Sequence, residues 1–218
     1  MANVIFMILA IGILTFIAIM GIVILFKTLT GDGLSFKNFF KSLHVETPER
    51  KAGRLGERFA NQIISEILRE DDVLLCNVAI QTQGQQTELD SVIVNDRGIF
   101  FFEVKNWVGE VFGSEEDTEW IKNKETYPGN VYQKTVKNPI CQVKREIYLL
   151  SRFLKERGFS VWVEGYVFFV NHNSPVQSEY VVWTREDMDR VIHYGRDEKL
   201  SGALKEKILA ELTKMPVR

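Results

Sequence analysis

The 218-residue sequence predicts an α/β protein, a mixed sheet flanked by helices and preceded by one transmembrane helix. Three observations carry that reading. An uncharged apolar run fills Val4 to Phe26. Two amphipathic helical patterns, one from Glu49 to Glu70 and one from Asn138 to Gly158, bracket a set of strand-like runs. Those runs, "TELDSVIVN" and "GIFFFEVKNW" among them, are rich in β-branched and aromatic residues and stop at turn formers. A composition of 26% charged and 45% apolar residues is that of a folded chain. The formal net charge of -2 neither demands nor excludes a nucleic-acid partner, because a local basic cleft can sit on a mildly acidic protein.

The apolar run comes first. At roughly 1.5 Å per helical residue it reaches about 35 Å, enough to cross a hydrocarbon core of about 30 Å. A cleaved signal peptide fits less well, since no charge precedes the run and the run is too long. Lys27, Lys37 and Lys41 follow it and nothing basic precedes it. The positive-inside bias therefore places the bulk of this single-pass chain on the cytoplasmic side of the membrane. With residues 1–27 as anchor, 28–49 form a juxtamembrane linker. There Phe36, Phe39, Phe40 and Leu43 recur at helical spacing beside Lys37 and Lys41, which suits a short helix in the headgroup region or a plain linker. Pro48 closes this stretch, and the α/β domain is expected over 50–218.

Within the domain, Phe59, Ile63 and Ile67, with Ala60, Ile64 and Leu68, draw an apolar stripe along the first helix. "DVLLCNVAI", "TELDSVIVN" and "GIFFFEVKNW" follow as strands, the last two joined by a hairpin turn at Asn95-Asp96-Arg97-Gly98. "VFG" and "EWIKN" read as short strands. The second helix has Asn138 as its cap, Pro139 in its first turn and Gly158 past its end. "VWVEGYVFFV" is a buried strand. "YVVW", a short helix around "REDMDRVI" and an amphipathic segment from Leu200 to Met215 complete the chain, which has no internal repeat. Cys76 and Cys141 lie outside any metal-ligand spacing and are expected as buried free thiols.

Charges inside the strand runs are the candidates for chemistry. Asp90 shares a face with Val92 and Val94, while Glu103 and Lys105 leave one face of the next strand about 7 Å apart. Pairing across the hairpin brings Asp90 toward Glu103. Converging carboxylates repel unless a cation lies between them, and Mg²⁺ takes one or two carboxylates together with water and phosphate oxygens. A lysine beside such an ion would stabilise charge on a phosphoryl group or hold a nucleophilic water. The competing reading of Glu103 and Lys105 is an ordinary ion pair at a strand end.

Together, Glu57 in "GRLGERFA", Asp90 in "ELDSVIV", Glu103 and Lys105 in "FFEVKNW" and Gln142 in "NPICQVKREI" resemble the nuclease-related domain, NERD, a branch of the PD-(D/E)XK nuclease superfamily. The resemblance covers about Arg50 to Val170. It implies a restriction-endonuclease-like fold, a mixed four-stranded sheet flanked by helices with the metal site at the strand ends. It also implies phosphodiester hydrolysis with Mg²⁺ or Mn²⁺, on DNA ahead of RNA. By position, Asp90 takes the place of the first metal-binding acid, Glu103 the second, and Lys105 the catalytic lysine. Glu57 is either a third acid near the metal or a helix-start carboxylate. Gln142 either orients a water or phosphate or is a polar helix-face residue.

Other polar residues point less clearly to chemistry. His44, His172 and His193 sit in no metal or triad spacing, and Ser114 and Ser174 in no nucleophile elbow. Lys122, Lys124, Lys134, Lys137, Lys144 and Arg145, with Trp120, Tyr127 and Tyr132 interleaved, either line a groove for a nucleic-acid backbone or form a solvated surface with Glu119, Glu125 and Glu146. Two functions of different class remain. One is a membrane-anchored, metal-dependent nuclease; the other is a non-catalytic nucleic-acid-binding or scaffolding module with a nuclease-like fold. A transport role is disfavoured, since the one span carries no ionisable residue. Nothing in the sequence sets an oligomeric state.

Overall fold

The computed structural model describes residues 11–22, 46–126, 129–195 and 199–214. The chain divides into two compact units, Met1–Thr47 and Pro48–Arg218. In the first, residues 11–22 form a helix of exposed apolar side chains. Among the described residues no helix is long and apolar enough to cross a membrane. The rest of the expected span, the linker residues Phe36, Phe39, Phe40 and Leu43, the lysines 27, 37 and 41, His44, Tyr127 and Met215 lie outside the described residues.

The second unit runs α1 (Pro48–Ile67), β1 (Val73–Thr82), β2 (Gln85–Asn95), β3 (Gly98–Lys105), β4 (Glu110–Phe112), β5 (Glu119–Thr126), β6 (Asn130–Lys137), α2 (Pro139–Lys155), β7 (Val163–Phe169), β8 (Val181–Val182), α3 (Arg185–His193) and α4 (Gly202–Leu212). β1, β2, β3, β7 and β8 form one five-stranded sheet in that order, and β4, β5 and β6 a separate three-stranded one. β1–β2–β3 is antiparallel, and β3–β7 and β7–β8 are parallel. The main sheet is thus mixed, as expected, but has one strand more than the four the resemblance implied, because the two-residue β8 adds to its edge.

Alternation along β3 explains the layers. Ile99 and Phe101 pack with Ile140, Val143 and Leu150 of α2 and with Ile208 and Leu212 of α4. Phe100, Phe102 and Val104 face the opposite way, onto Ala60 and Ile64 of α1 and Met188 and Ile192 of α3. Both faces are covered, so every residue from Gly98 to Val104 is buried. Gly98 closes the β2–β3 hairpin at φ +150, where an added Cβ would lie 2.9 Å from the Trp162 carbonyl. α2 begins as its sequence dictates: the Asn138 side chain accepts from Ile140 N at 2.8 Å, with Pro139 in the first turn. α3 is held by a capping box between Thr184 and Asp187.

Three expectations are corrected. Phe59 is 47% exposed, because Gly56, Ala60 and Ile64 turn the buried stripe of α1 away from it. Cys76 and Cys141 are exposed free thiols, Cys76 on the edge strand β1 of the main sheet and Cys141 in the first turn of α2. A strand beyond those expected, β6, pairs along its whole length with β5.

Candidate functional site

Strand pairing creates the site by failing at one residue. β1 and β2 are in continuous register except at Asn77, which has φ 54 and would face Asp90. β2 and β3 pair from Asn95↔Gly98 to Ser91↔Phe102 and stop one rung short of Asp90 and Glu103. Asp90 is therefore released from both neighbours, and its Oδ2 accepts from the backbone N–H of Val104 at 2.9 Å. Asparagine tolerates the left-handed backbone at position 77 better than most side chains, so the break is cheap to maintain.

Glu103 and Lys105 emerge on the α2 side of β3, as alternation requires. Glu103 is 5% exposed, and the Lys105 ammonium donates to its Oε1. Nζ of Lys105 also donates to Gln142 Oε1 on α2 at 3.2 Å. Gln142 Nε2 donates to Glu146 Oε1 at 3.0 Å, and Thr87 Oγ1 donates to the same oxygen at 3.2 Å. Glu57 reaches the site from α1, which docks against the end of β3. A Cβ on Gly56 would lie 2.5 Å from Asn106 Cβ, and Asn106 Nδ2 donates to Ala52 O at 2.7 Å.

The electrostatics are those of crowded acids. Burial, then the neighbouring Glu103 carboxylate, push Asp90 up to about 8 despite the Val104 N–H. Burial and Glu103 also raise Glu146 to about 7. Glu57 is raised by burial, with Glu88 and Glu103 adding to it. Such a group of carboxylates either holds protons or holds a cation.

Among the described residues, no group of three or more His, Cys, Asp or Glu side chains could by itself hold a metal ion. Asp90 and Glu103 are the two hard oxygen groups that could hold a divalent ion here, and the crowding that raises Asp90 is of the kind a small cation completed by water and substrate oxygens would relieve.

A cleft of about 820 Å³ opens over these groups, lined by Glu57, Asp90, Glu103 and Lys105 on one side and by Lys122, Lys124, Tyr132 and Lys134 of the β5–β6 ribbon on the other. The structure therefore gathers Glu57, Asp90, Glu103 and Lys105 at one place, with Gln142 bonded to Lys105 from behind. Of the basic cluster expected from the sequence, Lys122, Lys124, Lys134 and Tyr132 line the cleft. Lys144 instead pairs with Glu115 at 2.6 Å, Arg145 bonds Gln85 and Trp120 is fully buried. Glu146, expected with the solvated surface, is instead buried behind the site, because it lies one helical turn after Gln142 and accepts from it and from Thr87. His193 lies elsewhere, buried between Asp72 at 2.7 Å and Asp189 at 2.6 Å.

A sequence model of the nuclease-related domain matches residues 52–170, which contain all five candidate site residues. An uncharacterized protein of Bacillus anthracis is 30% identical over 108 residues, 48% of this chain and 48% of that protein. The chain thus spans about half the length of the curated relative it matches. No solved structure matches it.

Proposed function

Because this chain belongs to the nuclease-related domain (NERD) family, we propose that it hydrolyses phosphodiester bonds of nucleic acid, DNA ahead of RNA, with Mg²⁺ or Mn²⁺ as cofactor. The observation that carries the reading is the convergence of Asp90 and Glu103 with Lys105 where β2 parts from β3, at the floor of a cleft with lysines on its wall. Asp90 and Glu103 would hold the cation, which when bound supplies Lewis acidity to the phosphoryl oxygens. Hydrolysis joins the oxygen of water to phosphorus and breaks the bond to the leaving oxygen, which takes a proton. Lys105 stabilises the phosphoryl charge in that step, and Gln142 sets the direction of its ammonium. The Val104 N–H fixes the Asp90 carboxylate.

The apolar run from Val4 to Phe26 anchors the chain in this reading, with the domain on the cytoplasmic side. Protease added to intact cells then leaves the domain whole, whereas digestion from outside would reverse the orientation. One observation favours the non-catalytic module: the Lys105–Glu103 ion pair is closed and largely buried, as a purely structural pair would be.

A cleavage assay separates the two. The full-length chain in detergent is incubated with single-stranded and duplex DNA and RNA in Mg²⁺, Mn²⁺ or chelator. Metal-dependent cleavage that is lost in Asp90→Asn, Glu103→Gln and Lys105→Ala, with melting temperatures retained, supports the nuclease. Absence of metal-dependent cleavage, with Glu103→Gln and Lys105→Ala both destabilised, would leave the module.

A further inference from the structure

One face of the β5–β6 ribbon carries a graded set of cross-strand pairs. Trp120 stands opposite Val136, Lys122 opposite Lys134, and Lys124 opposite Tyr132. The first pair is the buried root: Trp120 is fully buried, stacks on Phe169 at 6.1 Å and donates from Nε1 to Ser114 O at 2.8 Å. The next two pairs line the cleft. Like charges directly opposite each other weaken a ribbon, and among the described residues no carboxylate forms an ion pair with Lys122, Lys124 or Lys134. Burial, then Lys134 and Lys124, push the Lys122 ammonium below its ordinary range, which marks the same crowding of positive charge. A polyanion laid along this face would relieve that repulsion.

Aromatic rings accompany the lysines. Tyr132 is 61% exposed beside Lys124, and Trp107 lies on the floor with the ammonium groups of Lys105 and Lys122 at 5.7 and 5.9 Å from its ring. A cationic track with accessible rings is the arrangement that holds unpaired bases by stacking and their backbone by charge. The reacting groups are recessed, with side-chain exposures of 16% for Lys105 and 7% for Glu103, so a phosphate must come down between two walls to reach them. One flexible strand can do this, whereas a duplex keeps its bases stacked inside and its paired backbones apart.

We propose that the β5–β6 ribbon is a single-strand clamp: Lys122, Lys124 and Lys134 track the backbone of a single-stranded nucleic acid and Tyr132 stacks on one of its bases. This rests on the nuclease reading of the same cleft and narrows its substrate to unpaired strands.

Binding in chelator, where cleavage cannot intervene, tests the clamp apart from catalysis. The full-length chain in detergent is titrated against a fluorescein-labelled 20-nucleotide single strand of mixed sequence and against its duplex, and the anisotropy is read. The single strand is expected to bind at least tenfold more tightly than the duplex. Tyr132→Ala should weaken single-strand binding about tenfold, and Tyr132→Phe should restore it, because a ring suffices for stacking. Lys122→Gln with Lys134→Gln should reduce the dependence of log affinity on log salt by about 1.4, two phosphate contacts on a single strand. Equal or tighter duplex binding, or indifference to Tyr132→Ala in a chain whose melting temperature is unchanged, overturns the clamp. Duplex cleavage requiring Asp90 and Lys105 would then leave the nuclease reading standing without it.

Discussion

Lys105 and Gln142 are joined across two elements, the ammonium at the end of β3 donating to the amide oxygen on α2 at 3.2 Å. The other end of that amide is committed to Glu146 at 3.0 Å, so Gln142 cannot rotate by half a turn without setting its own N–H groups against an ammonium. Glu146 thereby fixes Gln142, and Gln142 fixes the direction of the Lys105 charge.

Gln142→Ala is expected to lower kcat about 10- to 100-fold, as loss of an orienting partner does, while nucleic-acid binding in chelator is unchanged. The cost in stability is about 1–3 kcal/mol, because the buried Glu146 carboxyl loses a donor. Steady-state kinetics beside thermal melting check both; a change in KM with kcat intact would contradict the positioning role.

Glu146 ties stability to pH. Its folded pKa of about 7 lies above the ordinary 4.5, so the folded state binds the proton more tightly. Its contribution is fully present below about pH 4.5 and is lost as pH rises through about 7. Glu146→Gln keeps an acceptor for Gln142 and Thr87 and has no such proton to lose. At pH 8 it should be more stable than the parent chain by up to about 3 kcal/mol, with little difference at pH 4.5. Denaturant unfolding across pH 4.5–8.5 measures this.

Asp90 has the same sign over a wider window, from its ordinary 3.8 to about 8. Stability is again greatest at low pH and falls through that window as the buried acid is forced to ionise. Asp90→Asn should remove the fall and melt no lower than the parent chain at pH 8.5. Mg²⁺ should raise the melting temperature of the parent chain at pH 8 and leave the variant unmoved, because only the native state of the former gains a ligand. An equal response of both chains to Mg²⁺ would refute Asp90 as a ligand.

His193 is a purely structural case. Its ring bridges Asp72, which follows α1, to Asp189 of α3 while being only 2% exposed. His193→Ala removes the buried ring that joins Asp72, which keeps the Arg69 N–H, to the partly exposed Asp189, and is expected to cost about 1–3 kcal/mol. Cleavage per folded molecule should be unchanged, which melting and activity at low temperature would establish together.

Much of the frame was legible because local rules wrote it. The two-residue turn at Asp96-Arg97, the Asn138–Pro139 start of α2 and the apolar run of β3 from Ile99 to Phe102 each follow from residue type and period. β6 was not legible: nearly all its side chains are exposed, so "NVYQKTVK" lacks the one-sided burial that marks a strand in sequence. The convergence of Asp90 with Glu103 followed from the hairpin, but the mechanism of their release did not. It depends on the left-handed Asn77, a residue with no signal in a run of strand formers. The roles of Glu146 and His193 depend in part on partners far along the chain, Thr87 for one and Asp72 for the other, although Glu146 also has a local partner in Gln142.

Among the described residues no ladder rung joins β5 or β6 to β3, so the wall of the cleft is expected to open independently of its floor. Backbone amides of β3, locked between β2 and β7, should exchange with solvent deuterium only on global unfolding. Those of β5 and β6 should exchange sooner, and progressively more slowly toward the rung that Trp120 pins to Phe169. Capture and release of a strand would then run on the clock of the ribbon, and bond breaking on that of the floor, two rates that substitutions in one layer can tune without disturbing the other.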